Sequence, residues 1–302
     1  MSRDIEQLLS EYRARVNQRL RDLMSMLEGC PPPLLEAVEY SLLAPGKRLR
    51  PVLTMLAAEA TGGKADDALS AGCAVEMVHA YSLVHDDLPA MDDDDLRRGL
   101  PTAHKKFGEA LAILAGDALL TLAFEVVATG YPAAIAAPMC RELTHAAGGT
   151  QMIGGQVNDL VWDGKISGPK LSQNVDGLCT IHAAKTGALF SACMRLGLMA
   201  AKGERPDPRV DEAMTLFARS LGLAFQITDD LLDVEGDESR IGKRVGKDAD
   251  RGKPTFPGLL GIEESRRRVE SLIKQAQEAL RPLDGRGEVL AAVARMVAKR
   301  DR

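Results

Sequence analysis

A chain of 302 residues is long enough to bury a sizeable core, either as one large helical domain or as two smaller ones. Hydrophobic residues make up 45% and aromatic ones only 4%, with Ala and Leu abundant, which favours helices packed on small side chains over a sheet rich in Val, Ile and Tyr. The net charge of -5, with no dominating basic stripe, argues against nucleic acid as the principal partner.

The segment 4–28 is charged and amphipathic and lacks the apolar core of a secretory signal. Pro31-Pro32-Pro33 ends it and starts another helix. Gly46 opens a basic turn, GKRLRP, followed by an Ala/Leu helix that Thr61-Gly62-Gly63 breaks. A long helix is expected from about Asp66 through LVHDDLPAMDDDD, closed by Gly99-Leu100-Pro101-Thr102. Residues 109–129 read as an apolar helix, and Gly130-Tyr131-Pro132 as a turn. Further helices are expected at about 133–147, 149–161, 171–183, 185–202 and 209–234, with a loop at 203–208 and a Gly- and charge-rich loop at 235–257. Amphipathic helices near 262–281 and 286–300 finish the chain. No β alternation stands out, and no apolar run reads as long enough to span a bilayer. Cys30, Cys73, Cys140, Cys179 and Cys193 are scattered, odd in number and without CxxC spacing, as in the reduced thiols of a cytoplasmic protein. The expectation is an all-α, single-domain bundle of ten or more helices over 1–302.

Two aspartate-rich clusters carry the chemistry: LVHDDLPAMDDDD around Asp86 to Asp95, and QITDDLLD around Asp229 to Asp233. Both are embedded in apolar sequence, and carboxylates withdrawn from water pair with cations or coordinate metal. An oxygen-only donor set suits Mg²⁺, Mn²⁺ or Ca²⁺ rather than zinc. In the second cluster Asp229 and Asp233 fall on one helix face, Asp230 and Asp233 stand i,i+3, and Ala224, Ile227, Leu231 and Leu232 supply the apolar side. In the first, the step from Asp86 to Asp92 is roughly 240° of net helical rotation, so a straight helix separates them. Pro89 lies between and removes a backbone donor, and a kink or bulge there would return Asp92 to the face of Asp86. A solvated acidic turn describes Asp93 to Asp95 better than it does Asp86 and Asp87.

Basic residues recur beside turns and aspartates: Lys47, Arg48 and Arg50 after Gly46, and Arg97 and Arg98 before Gly99. Lys185-Thr186 reads as a helix start, where a positive end and free N–H groups favour an anion, and Lys243, Arg244, Lys247 and Lys253 fill the late loop. Each alone reads more often as a solvated surface charge; together, beside Gly turns and aspartates, they suit a diphosphate. GxxxxGK[ST], GxGxxG and HExxH are absent, and His79, His85, His104, His145 and His182 form no zinc pattern. His79 lies two helical turns before Asp86 and shares its side. The residues alone read as a magnesium-dependent enzyme acting on an anionic substrate.

The blocks GKRLRP, LVHDDLPAMDDDDLRRGLPTAHKKFG, AGDALLTLAFE, KTGALF, FQITDDLLD and GKPTFP, in this order from about residue 40 to 300, resemble the trans-prenyltransferase (polyprenyl synthetase) family, its bacterial farnesyl diphosphate synthases above all. The resemblance implies the isoprenoid synthase fold, helices around a deep central cavity. It implies head-to-tail joining of isopentenyl diphosphate to an allylic diphosphate, and three Mg²⁺ ions per active site, with Mn²⁺ as the alternative. Asp86 and Asp92 are the implied ligands of the first motif, with Asp87 supporting. Asp229 is the chief ligand of the second, with Asp230 beside it and Asp233 acting through water. Lys47, Arg50, His79 and Arg98 resemble the isopentenyl diphosphate pocket. Arg97, Lys185, Thr186, Gln226, Lys243 and Lys253 resemble contacts to the allylic diphosphate. Asp86, Asp92, Lys185 and Asp229 are the implied catalytic set.

Product length in the family follows bulk five and four residues before the first Asp, here Tyr81 and Ser82. An aromatic ring at 81 implies a stop at the fifteen-carbon farnesyl product, although Tyr81 also reads as plain core, and geranylgeranyl diphosphate is the alternative product. A terpene cyclase shares the fold, but DDLLD at 229–233 argues for the prenyltransferase. An inactive regulatory subunit usually loses aspartates, and both clusters are intact. The family also implies a homodimer, with 109–129 either at its interface or in the core. The basic end, 298–302, either closes over the site or is a solvated tail.

Overall fold

A computed structural model describes residues 2–203, 207–235 and 254–299. The chain is all-α. Helices α1 (Ser2–Leu23), α2 (Pro32–Leu43), α3 (Leu49–Ala60) and α4 (Leu69–Asp86) lead to a hairpin of β1 (Leu96–Arg97) and β2 (Leu100–Pro101). Then follow α5 (Ala103–Phe107), α6 (Glu109–Gly130), α7 (Ala133–Ala147), α8 (Met152–Trp162) and α9 (Val175–His182). A π-helical turn, Ala183–Gly187, joins α9 to α10 (Ala188–Lys202), and α11 (Pro208–Glu235), α12 (Phe256–Leu260), α13 (Ile262–Ala279) and α14 (Glu288–Ala298) complete the order. The chain divides into two compact units, residues 1–143 with 196–205 and residues 144–195 with 206–302.

In the first unit the heptad-like spacing of Tyr12, Val16, Leu20 and Leu23 gives α1 one buried stripe. Helix α4 is buried on nearly every side from Ala71 to Val78, and its neighbours come close because small residues permit it. A Cβ on Gly72 would stand 3.0 Å from the backbone of Pro51 in α3. On α6, a Cβ on Gly116 would overlap the His85 ring at 2.1 Å, so that glycine lets α6 lie against the end of α4. In the second unit α11 buries Ala213, Phe217, Leu221, Ala224 and Ile227, and α13 buries Val269, Ile273 and Ala276. A Cβ on Gly222 of α11 would come within 3.2 Å of the Gly187 Cα, which brings α11 directly onto the π-helical turn.

Three expectations are corrected. Helix α4 does not run through the first aspartate cluster but ends at Asp86. Pro89 has no N–H for the carbonyl of His85, and its ring crowds that carbonyl, so the ladder stops. The stretch closed by Gly99 contains a hairpin rather than more helix, and Arg98 (φ +55°) and Gly99 (φ +77°), both in the left-handed backbone region, form its two-residue turn, the kind whose twist matches the right-handed twist of paired strands. Helix α6, 22 residues long, is apolar and long enough by length and composition to cross a membrane, contrary to the reading from sequence. Its apolarity has a packing cause: Ala112, Ala115, Leu119, Leu122 and Ala123 are buried within the first unit.

Candidate active site

Immediately after α4 the backbone turns back on itself. Met91 donates its N–H to the Leu88 carbonyl at 2.8 Å, and Asp92 donates to the Asp86 carbonyl at 2.8 Å. Asp93, in the left-handed region at φ +51°, donates to Leu88 at 3.1 Å. This is the bulge that Pro89 suggested, and it sets the Asp92 backbone against that of Asp86. Both residues are half-buried. Asp87 is treated differently: it is buried, and its carboxylate accepts from Arg97 Nε at 2.9 Å and Nη2 at 2.6 Å in a bidentate pair. Asp93 and Asp95 are exposed, and Asp95 pairs with Lys105 at 2.7 Å.

Against this acidic turn stands a basic cluster. His79 is half-buried on α4, and burial, then the fields of Arg50, Arg98, Arg97 and Arg48, hold its imidazole well below the usual histidine range. A neutral ring among guanidiniums marks a place whose potential favours an anion. A cavity of about 50 Å³ beside it is lined by Tyr40, Arg48, His79, Asp87, Arg97 and Arg98, among others. Arg98 donates to the Pro45 carbonyl at 2.9 Å, and its Nη1 occupies the space a Cβ on Gly46 would fill, 2.4 Å away. Lys47 is exposed in the turn before α3, and Arg50 opens that helix. Arg48 differs from its neighbours: at φ +51° it turns inward and donates to Glu76 at 2.8 Å, Asn17 at 2.9 Å and the Ala44 carbonyl at 2.8 Å. It is a buried tie between α1, α4 and the turn rather than a substrate cation. Tyr81 is 5% exposed, its ring edge-on to His85 at 5.7 Å, and burial, then Asp86, pushes its hydroxyl up to about 12. Ser82 donates to the His79 carbonyl at 2.9 Å.

In the second unit, contrary to the expectation from sequence, Lys185 and Thr186 do not open a helix. They lie in the π-helical turn within continuous helix, and the N-terminus is upstream, where Asn174 accepts from the Gly177 N–H at 3.0 Å. Lys185 donates to buried Asp159 at 2.7 Å, and Thr186 donates to Gln226 at 2.8 Å, which ties two predicted diphosphate contacts together. Gly155 of α8 lets that helix meet the turn: a Cβ there would stand 2.3 Å from the backbone nitrogen of Lys185. On α11 Asp229 and Asp233 are half-buried on one face as expected, whereas Asp230 is buried and accepts from the Phe256 N–H at 2.9 Å. Lys243 and Lys253, with Arg244, Lys247 and the segment 300–302, lie outside the described residues.

Among the described residues no three His, Cys, Asp or Glu side chains converge as a ready-made metal cage. A Mg²⁺ bound through substrate phosphates needs only one or two carboxylates, since the ion keeps water and phosphate oxygens around it. Asp86 with Asp92, and Asp229 with Asp233, fit that requirement. Asp87 and Asp230 are committed to Arg97 and Phe256. Sequence reasoning missed Asp159, Glu76, Thr102 and Asn17; the only local signal was the position of Asp159 in an otherwise apolar helix, DLVW, where a buried carboxylate needs a cation.

Comparison with known proteins agrees with this chemistry. The sequence profile described as Polyprenyl synthetase matches residues 31–284. The chain is 45% identical over 286 residues to farnesyl diphosphate synthase of Escherichia coli (strain K12), covering 93% of this chain and 92% of that one. It is equally, 45%, identical over 292 residues to geranylgeranyl pyrophosphate synthase 7, chloroplastic, of Arabidopsis thaliana, covering 94% and 81%. Among solved structures, an FPP/GFPP synthase from Zymomonas mobilis superposes with a TM-score of 0.84 at 32% identity, covering 99% of this chain and 100% of that one.

Proposed function

The chain belongs to the polyprenyl synthetase family and is a prenyltransferase of isoprenoid synthesis, and on that footing we propose that it condenses isopentenyl diphosphate with dimethylallyl and then geranyl diphosphate and stops at (2E,6E)-farnesyl diphosphate. The observation that carries the reading is the junction of the acidic turn and the arginine cluster in the first unit, joined by the Asp87–Arg97 pair. The proposed Mg²⁺ ligands are Asp86 and Asp92 of the first motif, and Asp229, with Asp233 through water, of the second. When bound, Mg²⁺ neutralises diphosphate charge and so makes diphosphate a leaving group.

The side chains account for the rest. Lys47, Arg50, His79 and Arg98 hold the diphosphate of isopentenyl diphosphate. Lys185, Thr186 and Gln226, fixed by the Asp159 and Thr186–Gln226 bonds, hold the allylic diphosphate, and Lys243 and Lys253 join them. Arg97 is spent on Asp87, so it steadies the turn and adds a fixed positive field. Ionisation of the allylic carbon–oxygen bond leaves an allylic cation. The double bond of isopentenyl diphosphate attacks it, and the proton lost from the product goes to the released diphosphate. Preplaced cations that stabilise the departing charge supply the main catalytic effect.

Tyr81 supports the farnesyl product, because a buried aromatic ring at that place closes the space a longer chain would need. The equal identity to a geranylgeranyl synthase keeps the twenty-carbon product as the second reading. We also propose a cytoplasmic homodimer forming one synthase domain per chain: α6 exposes Ile113 and Leu114, and all five cysteines are free thiols. The reading is tested by diphosphate release from the two substrates with and without Mg²⁺. Release that needs Mg²⁺ and is lost in Asp86→Ala and Asp229→Ala is expected; near-wild-type rates in either variant would sink it.

A further inference from the structure

The acidic turn is held from a second side that the reaction scheme does not use. Its N–H groups bond toward the end of α4, and Thr102 Oγ1 lies 2.8 Å from the carbonyl oxygen of Asp94 and 3.4 Å from that of Asp95. Thr102 also donates its own N–H to the Asp95 carbonyl at 3.0 Å, so one residue closes the loop from 94 to 102 twice. The same hydroxyl lies 3.1 Å from Nδ1 of His104, and both residues are buried, at 2% and 6% exposure.

Proton accounting fixes the direction of this chain. A backbone carbonyl only accepts, so the hydroxyl proton of Thr102 goes to the carbonyls of Asp94 and Asp95, of which that of Asp94 is the nearer. His104 Nδ1 must then be the donor to the Thr102 oxygen. Nε2 of His104 is buried with no hydrogen-bond partner among the described residues. The result is a relay, His104 Nδ1–H to Thr102 O–H to Asp94 C=O, two residues from Asp92.

We infer that Thr102 and His104 are positioning residues for the proposed metal-diphosphate ligands: they fix the Asp94 carbonyl and so the turn that sets Asp92 against Asp86. This rests on the reading of Asp86 and Asp92 given above. Neither side chain is proposed to touch substrate. The isolated loss of an outer hydrogen bond to a metal-binding segment typically weakens the metal about tenfold or more.

The test is titration calorimetry of the full-length protein with inorganic diphosphate in the presence of Mg²⁺, alongside thermal melting. Thr102→Val, which keeps shape and removes the hydroxyl, is expected to weaken binding about tenfold and to raise the Mg²⁺ concentration for half-activation by a like factor. Thr102→Ser, which keeps the hydroxyl, is expected to bind as wild type. His104→Asn, whose amide N–H replaces Nδ1–H, should bind more tightly than His104→Leu, and this pair decides the matter if Thr102→Val does not fold. Equal loss in Thr102→Val and Thr102→Ser, or wild-type binding in Thr102→Val, would overturn the inference while leaving the functional reading in place. A wild-type protein that shows no heat with Mg²⁺ and diphosphate would overturn both.

Discussion

The ammonium of Lys185 lies 2.7 Å from Oδ2 of Asp159, a carboxylate on α8 that is almost fully buried. The π-helical turn that carries Lys185 is therefore anchored by a charge from a neighbouring helix as well as by the close approach at Gly155. Asp159→Asn keeps the shape but removes the charge that holds the ammonium in place. The expected result is a fall in kcat/KM on the order of a hundredfold, as for a misplaced reacting group, with helicity by circular dichroism unchanged. Unaltered kinetics would mean that Lys185 does not depend on Asp159.

Gly46 is required by the Arg98 guanidinium, which fills the space of a side chain there. In Gly46→Ala the flexible end of Arg98 has to move and its bond to the Pro45 carbonyl is lost. A rise of about tenfold in the KM for isopentenyl diphosphate is expected, in line with one charge-assisted hydrogen bond. The KM for the allylic substrate and the melting temperature should change little. A rise in both KM values together would place Arg98 elsewhere in the reaction.

His79 gives the protein an acid-sensitive element. Burial and the surrounding arginines keep the folded imidazole neutral, while in the unfolded chain it takes up a proton near pH 6.5. Below that value the unfolded state binds the extra proton, so the stability due to a neutral His79 is present above pH 6.5 and is lost as pH falls toward the depressed folded value. Urea unfolding of wild type between pH 7.5 and 5.5 should show a steeper loss than His79→Gln. Parallel pH profiles would contradict the assignment.

Asp230 separates a positioning role from a ligand role. Its bond to the Phe256 N–H needs an acceptor, not a charge, and Phe256 is itself fully buried with its ring stacked 5.8 Å from His182. Asp230→Asn is expected to keep activity within about tenfold of wild type, whereas Asp230→Ala leaves a buried N–H unmatched at a cost of about 1–3 kcal/mol in stability. A loss in Asp230→Asn as large as in Asp229→Ala would make Asp230 a metal ligand after all.

How far each feature could be read in advance follows from what determines it. The shared face of Asp229 and Asp233 was legible because α11 is a regular helix and periodicity alone sets the face. The return of Asp92 to Asp86 was legible only as a bulge, through Pro89. The hairpin at Leu96–Pro101 was not, since two-residue strands leave no alternation to detect. Arg48 and Lys47 look alike in sequence; the left-handed backbone at Arg48 turns one inward and leaves the other exposed. The pairings Arg48–Glu76 and Lys185–Asp159 join residues far apart in the chain, so only tertiary packing selects them. Lys185-Thr186 read as a helix start, whereas the cap that forms lies upstream and uses Asn174.

Product chain length tests the central proposal most directly. Purified protein would be incubated with Mg²⁺, dimethylallyl diphosphate and excess isopentenyl diphosphate, and the products dephosphorylated and chromatographed against prenol standards, with Tyr81→Phe and Tyr81→Ala in parallel. Farnesol as the terminal product of wild type and Tyr81→Phe, with longer prenols from Tyr81→Ala, is predicted, because the buried ring rather than its hydroxyl blocks growth. Geranylgeraniol from wild type, or no elongation at all, would contradict it.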